Sequence, residues 1–195
     1  VYNAVFLDRD GTISVNRIIN HPHELELLPG IVKPLLKLQL MAYKLVIVTN
    51  QGGLSLGHIT ENDLDHIHTR LLSMLKEKGI LIDMILAAGW HEKGHIKKYS
   101  PAWRKPEPGM LLHAAGALNI DLDASFMIGD RLSDIKAGQR AGCRTIYVRT
   151  GEEENLADLP VQPDFNASNL AAAADFILQD LPVEPPDSRY DPKES

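Results

Sequence analysis

Five apolar runs at residues 4–7, 44–48, 83–88, 125–129 and 144–148 alternate with helical patterns, and this alternation limits the chain to few folds. The runs are nearly continuous in Val, Ile, Leu, Phe and Ala, as strands covered on both faces require. Between them, Ile31, Leu35, Leu38 and Met41 recur at helical spacing, as do Leu64, Ile67, Leu71, Leu72 and Leu75. Helices are expected over 31–41, 61–78, 110–118 and 131–141. A Thr60-x-x-Asp63 start and a Gly79 stop bound the second, and Gly142 caps the fourth. A short edge strand at 164–165 and a helix over 169–179 capped by Ser168 complete the pattern. Strands separated by crossover helices specify an α/β fold: a three-layer, Rossmann-like parallel sheet. With 195 residues, one domain over 1–181 is expected. The tail 182–195 carries four prolines and many charges and is expected to be disordered.

The first strand runs into Asp8-Arg9-Asp10-Gly11-Thr12. On an extended backbone, side chains two apart point the same way, so two carboxylates emerge together at a strand's carboxyl end. Such a pair calls for a cation, and Mg²⁺, which takes one or two carboxylates and keeps sites for phosphate, suits it. Gly11 lets the chain turn. Arg9 could face the substrate or pair with a carboxylate, and the pairing is the expectation.

Other strand ends are similarly marked. Thr49 and Asn50 follow the second strand, and Asp130 and Asp134 follow the fourth. Arg104 and Lys105 open the helix after the third. In a parallel sheet these ends share one edge. Carboxylates, a hydroxyl, an amide and two cations together suit a phosphoryl group and a magnesium ion.

Phe-Leu-Asp-Arg-Asp-Gly-Thr, Val-Thr-Asn-Gln-Gly-Gly, Arg-Lys-Pro-Glu-Pro-Gly-Met and Gly-Asp-x-x-x-Asp, in this order over residues 3–150, resemble the haloacid dehalogenase (HAD) superfamily. Within it, they are similar to the heptose-bisphosphate and histidinol-phosphate phosphatase branch. The resemblance implies Mg²⁺-dependent hydrolysis of a phosphomonoester through an aspartyl-phosphate, with the 7-phosphate of D-glycero-D-manno-heptose 1,7-bisphosphate as the favoured target. It makes Asp8 the nucleophile and Asp10 the general acid and base. Thr49 and Lys105 hold phosphoryl oxygens. Metal falls to Asp8, Asp130 and the backbone carbonyl of Asp10. Asn16, Arg17, Ile18 and Ile19 line the sugar pocket, while Asn50, Gln51, Gly52, Arg104 and Arg131 bind substrate, the two arginines suiting a second phosphate. Asp134 has three candidate roles: metal binding through a water, orientation of Asp130 or Lys105, or a helix N-terminal acid.

Neither gap between motifs holds the ~50 residues of a separate cap domain. Substrate choice is therefore expected to rest with 13–22, 51–58 and 89–104. The branch often carries zinc in the last segment, on a Cys-x-His pair and a Cys-x-Cys before Arg-Lys-Pro. Here those places read Gly89-Trp90-His91 and Pro101-Ala102-Trp103, so zinc is not expected. The histidines elsewhere are expected to be surface or satisfied polar groups, and Glu152-Glu153-Glu154 a solvated loop.

Alternative substrates are histidinol phosphate, with Glu24 and Glu26 as candidates for its amine, and a polynucleotide 3′-phosphate. A non-catalytic relic is the remaining alternative. A net charge of −6 without a basic block argues against nucleic acid. No run reaches the ~18 apolar residues of a membrane span, and no leader is evident. With Cys143 the single cysteine, a cytoplasmic protein acting on a small phosphorylated metabolite, as a monomer or weak oligomer, is the expectation.

Overall fold

The computed structural model describes residues 1–151 and 161–179. The expectations for the acidic loop at 152–154 and the tail at 182–195 lie outside these residues. Six strands form one sheet: β1 (Ala4–Leu7), β2 (Lys44–Asn50), β3 (Met84–Ala88), β4 (Phe126–Gly129), β5 (Arg144–Val148) and β6 (Phe165–Ala167). Their order is β3-β2-β1-β4-β5-β6, and all neighbours are parallel. The chain builds outward from β1 to β3, then returns to lay β4 on the other side of β1. Connections thus diverge at β1, which leaves a crevice at the carboxyl ends of the central strands.

Successive strand residues serve opposite faces. Val5, Leu7, Leu45 and Ile47 pack with α1 (Val32–Leu40), α3 (Glu61–Lys76) and α6 (Leu170–Gln179). Ala4, Phe6, Val46 and Val48 pack with α4 (Gly109–Leu118) and α5 (Leu132–Ala141). The result is three layers, α/β/α, around side chains that are almost wholly buried on the four central strands and half-buried on the edge strand β3. Each such Leu, Ile or Phe contributes roughly 2 kcal/mol by leaving water. Among the described residues no separate cap interrupts the fold.

Local chemistry places most boundaries. Asp63 N donates to Thr60 Oγ1 (3.1 Å) and Thr60 N to Asp63 Oδ2 (2.8 Å), closing the reciprocal cap expected at α3. The cap of α6 is Asn169 instead of Ser168: its Oδ1 accepts from Ala172 N at 3.0 Å. Asn169 is the residue directly before the helix, and that position is the one from which a side chain reaches the third helical N–H. Segment 51–58, expected as plain loop, holds one helical turn, α2 (Gly53–Leu56), ended by Gly57 at φ 73°. Ser55 on that turn accepts through its backbone carbonyl from His95 N and Ile96 N (2.9 and 3.0 Å). It thereby ties 89–104 to the sheet edge.

Candidate active site

Lys105 organises the site. Its ammonium has three protons, and each meets an acceptor: Asp8 Oδ1 at 2.5 Å, Asp134 Oδ1 at 2.6 Å and Val48 O at 2.7 Å. Lys105 and Asp134 are buried and Asp8 nearly so, although Lys105 lies 97 residues from Asp8 in sequence. Asn50 fixes the lysine backbone from β2: Lys105 N donates to Asn50 Oδ1 (3.0 Å) and Asn50 Nδ2 to Lys105 O (2.9 Å). The Asn50 amide, expected to bind substrate, is thus engaged in holding Lys105. Asp134 does two jobs, since Oδ2 also accepts from Arg131 N (3.0 Å) at the start of α5.

Asp8, Asp130 and Asp134 each offer an oxygen within 4.8 Å of the others, all buried. The three carboxylates, with the Lys105 ammonium shared by Asp8 and Asp134, make a predominantly acidic set that suits a dication. All the offered atoms are hard oxygens, which suit Mg²⁺ better than a thiophilic metal. The Asp8 carboxyl is raised to about 7: burial is the largest cause, Lys105 opposes it, and Asp134, Asp10 and Asp130 add to the rise. A bound cation would favour its ionised form. Burial alone would lower the Lys105 pKa, yet Asp134 and Asp8 raise it above the ordinary lysine value, so it stays charged. Gly11 is required twice over. Its φ is 90°, and a Cβ there would collide with the Asp130 carboxylate.

Asp10 stands apart from this acidic cluster. Asp8 and Asp10 nevertheless line the same cavity, as expected of two carboxylates emerging together, and the Asp10 charge acts on Asp8. Arg9 grips Asp10 through Nε to Oδ1 (2.9 Å) and Nη2 to Oδ2 (2.7 Å). Ser14 Oγ donates to Oδ1 (3.1 Å) and Gln51 Nε2 to Oδ2 (3.1 Å); Gln51 Nε2 also donates to Thr49 Oγ1 (2.9 Å). Gln51 therefore bridges the ends of β1 and β2. The carboxylate expected to partner Arg9 is Asp10.

A cavity of about 720 Å³ opens over these groups. Asp8, Asp10, Thr49 and Lys105 form part of its lining, with Asp134; Asp130 lies beneath, fully buried. Asn16, Arg17, Ile18 and Ile19 form one wall, and Gln51 and Gly52 another. Arg104 and Arg131 also line it. Burial first, then the Arg131 charge, lowers the Arg104 pKa. Arg104 Nη1 donates to Trp90 O at 3.0 Å, tying it to the 89–104 loop. Glu24 and Glu26 do not line the cavity: Glu24 accepts from Asn20 N and His21 N, and Glu26 pairs with Arg17.

Several lining groups are expected from the sequence only as parts of a segment, or not at all. His58, His91 and the apolar pair Leu56 and Ile59 all reach the cavity. His91 Nδ1 accepts from Lys93 N at 3.1 Å, which leaves the other ring nitrogen with the proton when the ring is neutral. Its survival at a position flanked by lost cysteines was the available signal. Leu56 and His58 lie in the segment 51–58 expected to set substrate choice, and Ile59 lies one residue beyond it.

An aspartate bound to a buried lysine at the carboxyl edge of this sheet defines a hydrolase of the phosphoryl-handling α/β class. Comparison with known proteins agrees. Residues 102–173 match the HAD-hydrolase-like family model. A D-glycero-beta-D-manno-heptose-1,7-bisphosphate 7-phosphatase of Mesorhizobium japonicum is 34% identical over 91% of this chain and 84% of its own. The enzyme of that name from Escherichia coli is 36% identical over 91% and 89%. The D,D-heptose 1,7-bisphosphate phosphatase of B. bronchiseptica, solved with magnesium and phosphate, superposes with a TM-score of 0.82. It is 30% identical and covers 92% of this chain and 99% of its own. The chain belongs to the HAD superfamily, in the branch of these heptose-bisphosphate phosphatases, and is a phosphatase.

Proposed function

We propose that the chain removes the 7-phosphate of D-glycero-D-manno-heptose 1,7-bisphosphate, with Mg²⁺ as cofactor. The observation that carries this is Lys105 Nζ, held between Asp8 and Asp134 at 2.5 and 2.6 Å beneath the cavity. It keeps one Asp8 oxygen in a fixed direction and places a positive charge where phosphoryl oxygens must lie. The relatives named above act on this bisphosphate, and the paired Arg104 and Arg131 suit a second phosphate.

Asp8 attacks phosphorus, forming a P–O bond as the bond to the sugar oxygen breaks. Asp10, its carboxyl about one-fifth exposed toward the cavity, gives a proton to the departing sugar oxygen. It then takes a proton from the water that attacks the aspartyl-phosphate, which restores Asp8 and frees phosphate. Thr49 holds a non-bridging oxygen, while Lys105, whose three protons are taken by Asp8, Asp134 and Val48 O, offsets phosphoryl charge from beside Asp8. Asp8, Asp130 and the backbone carbonyl of Asp10 hold Mg²⁺, with Asp134 in reach; when bound it neutralises phosphoryl charge. Asn16 to Ile19 and Gly52 shape the sugar pocket, beside Gln51. A single cysteine in the chain agrees with a reducing, cytoplasmic setting.

The test is phosphate release, with Mg²⁺, from heptose 1,7-bisphosphate, fructose 1,6-bisphosphate, histidinol phosphate and a 3′-phosphorylated oligonucleotide. The heptose should lead in kcat/KM, and Asp8→Asn should abolish turnover in a folded protein. A higher kcat/KM for histidinol phosphate would refute the substrate, and an Asp8→Asn variant retaining a tenth of the rate would refute the nucleophile.

A further inference from the structure

Arg9 is among the most completely buried side chains in the protein, at 1% exposure; it borders the cavity, and the reaction above gives it no role. Two edges of its guanidinium are in use. Nε and Nη2 fork onto Asp10, while Nη1 lies 3.5 Å from His68 Nε2. A guanidinium only donates, so His68 must offer a lone pair at Nε2 and carry its proton on Nδ1. His68 is a buried residue of α3, and burial, then the Arg9 charge, push its pKa down to about 4, with Asp10 acting in the opposite direction. It is therefore neutral at pH 7 and able to accept. The side chain left over from the helical pattern of α3 thus points at the back of the guanidinium that holds Asp10.

We propose that Arg9 and His68 are positioning residues for proton transfer by Asp10: His68 sets the plane of the Arg9 fork, and the fork sets the Asp10 carboxyl. This rests on the assignment of Asp10 as general acid and base. A bidentate fork fixes both oxygens in one plane, which a lysine could not do. Ser14 and Gln51 each add one bond, and neither reaches both oxygens. Small errors in the placement of an acid lower its effectiveness without harming substrate binding.

The consequence is selective for the leaving group. A sugar alkoxide cannot depart without a proton, whereas 4-nitrophenolate can. His68→Leu keeps the volume and removes the acceptor; His68→Gln returns an acceptor oxygen; Arg9→Lys keeps charge and removes the fork. The readout is the ratio of the single-turnover rate on heptose 1,7-bisphosphate to the nitrophenolate burst from 4-nitrophenyl phosphate. His68→Leu should lower that ratio about tenfold and Arg9→Lys further, with KM for the sugar within about twofold and His68→Gln recovering most of the loss. Equal losses on both substrates would show a merely structural role and overturn the proposal, as would an unchanged ratio. Wild type that hydrolyses 4-nitrophenyl phosphate while Asp10→Asn lowers neither rate would instead fail the assignment of Asp10, and the proposal with it. Nitrogen NMR of the wild-type imidazole supplies a check free of activity: a neutral Nδ1–H tautomer supports the proposal, and Nε2–H overturns it.

Discussion

Removing the Lys105 ammonium should destabilise the protein more than any surface change and should do so in a way that a cation repairs. In Lys105→Met the side-chain volume is nearly kept, but Asp8, Asp130 and Asp134 remain within 4.8 Å of one another, and Asp8 and Asp134 lose the ammonium that they share. Val48 O also loses its donor. Breaking a buried ion pair by removing one partner costs about 3–5 kcal/mol. A domain of this size loses about 2–4 °C of Tm per kcal/mol, so the metal-free variant should melt about 6–20 °C below wild type. Lys105→Met with Asp134→Asn removes one carboxylate from the cluster and keeps an acceptor for Arg131 N. It should therefore melt above the single variant. The assay is thermal unfolding of the three proteins in chelator and in millimolar Mg²⁺, with Mg²⁺ narrowing the gap for Lys105→Met. A single variant within about 2 °C of wild type, or a double variant less stable than the single, would refute the account of Lys105 as the cluster's counter-ion.

Three further outcomes follow from buried groups. The folded pKa of His68 lies below its unfolded value, so its neutral form favours folding above pH 6.5 and that contribution is lost as pH falls toward 4. Unfolding in urea at pH 7 and pH 5 should show wild type losing about 2 kcal/mol relative to His68→Leu over this interval; a constant difference would contradict the burial of a neutral imidazole. Burial pushes the Cys143 thiol up to about 12, with Asp123 adding to the rise. A disulfide reagent at pH 8 should leave Cys143 unmodified in the native protein and react at once in denaturant, whereas rapid native labelling would be inconsistent with its packing. Metal analysis of purified protein should find magnesium-competent sites without stoichiometric zinc; one zinc per chain would overturn the expectation drawn from the missing cysteines.

The layers and the edge that carries the chemistry were legible in the residues because both depend on local periodicity. Continuous apolar runs specify strands buried on two faces, and helical spacing between them specifies crossovers. Parallel pairing then brings every strand's carboxyl end to one edge. Asp8, Thr49, Lys105 and Asp130 were found by that reasoning, and so was the space for Arg104 and Arg131. Tertiary structure decided how these groups divide the work. Asn50 and Asp10 were visible as polar residues at strand ends, but which partner each would take was not, and for Asp134 the structure combines two of three candidate roles, on Lys105 and at the start of α5. Those choices depend on side-chain reach across strands brought together from distant parts of the chain, such as the 97 residues between Asp8 and Lys105. Lys105 has only three protons to give, and burial leaves each of them one acceptor. Arg9 could be expected to meet some carboxylate, yet only packing against α3 set His68 behind it. A sequence carries the period of its elements, while the environment of a buried charge is created when those elements close around it.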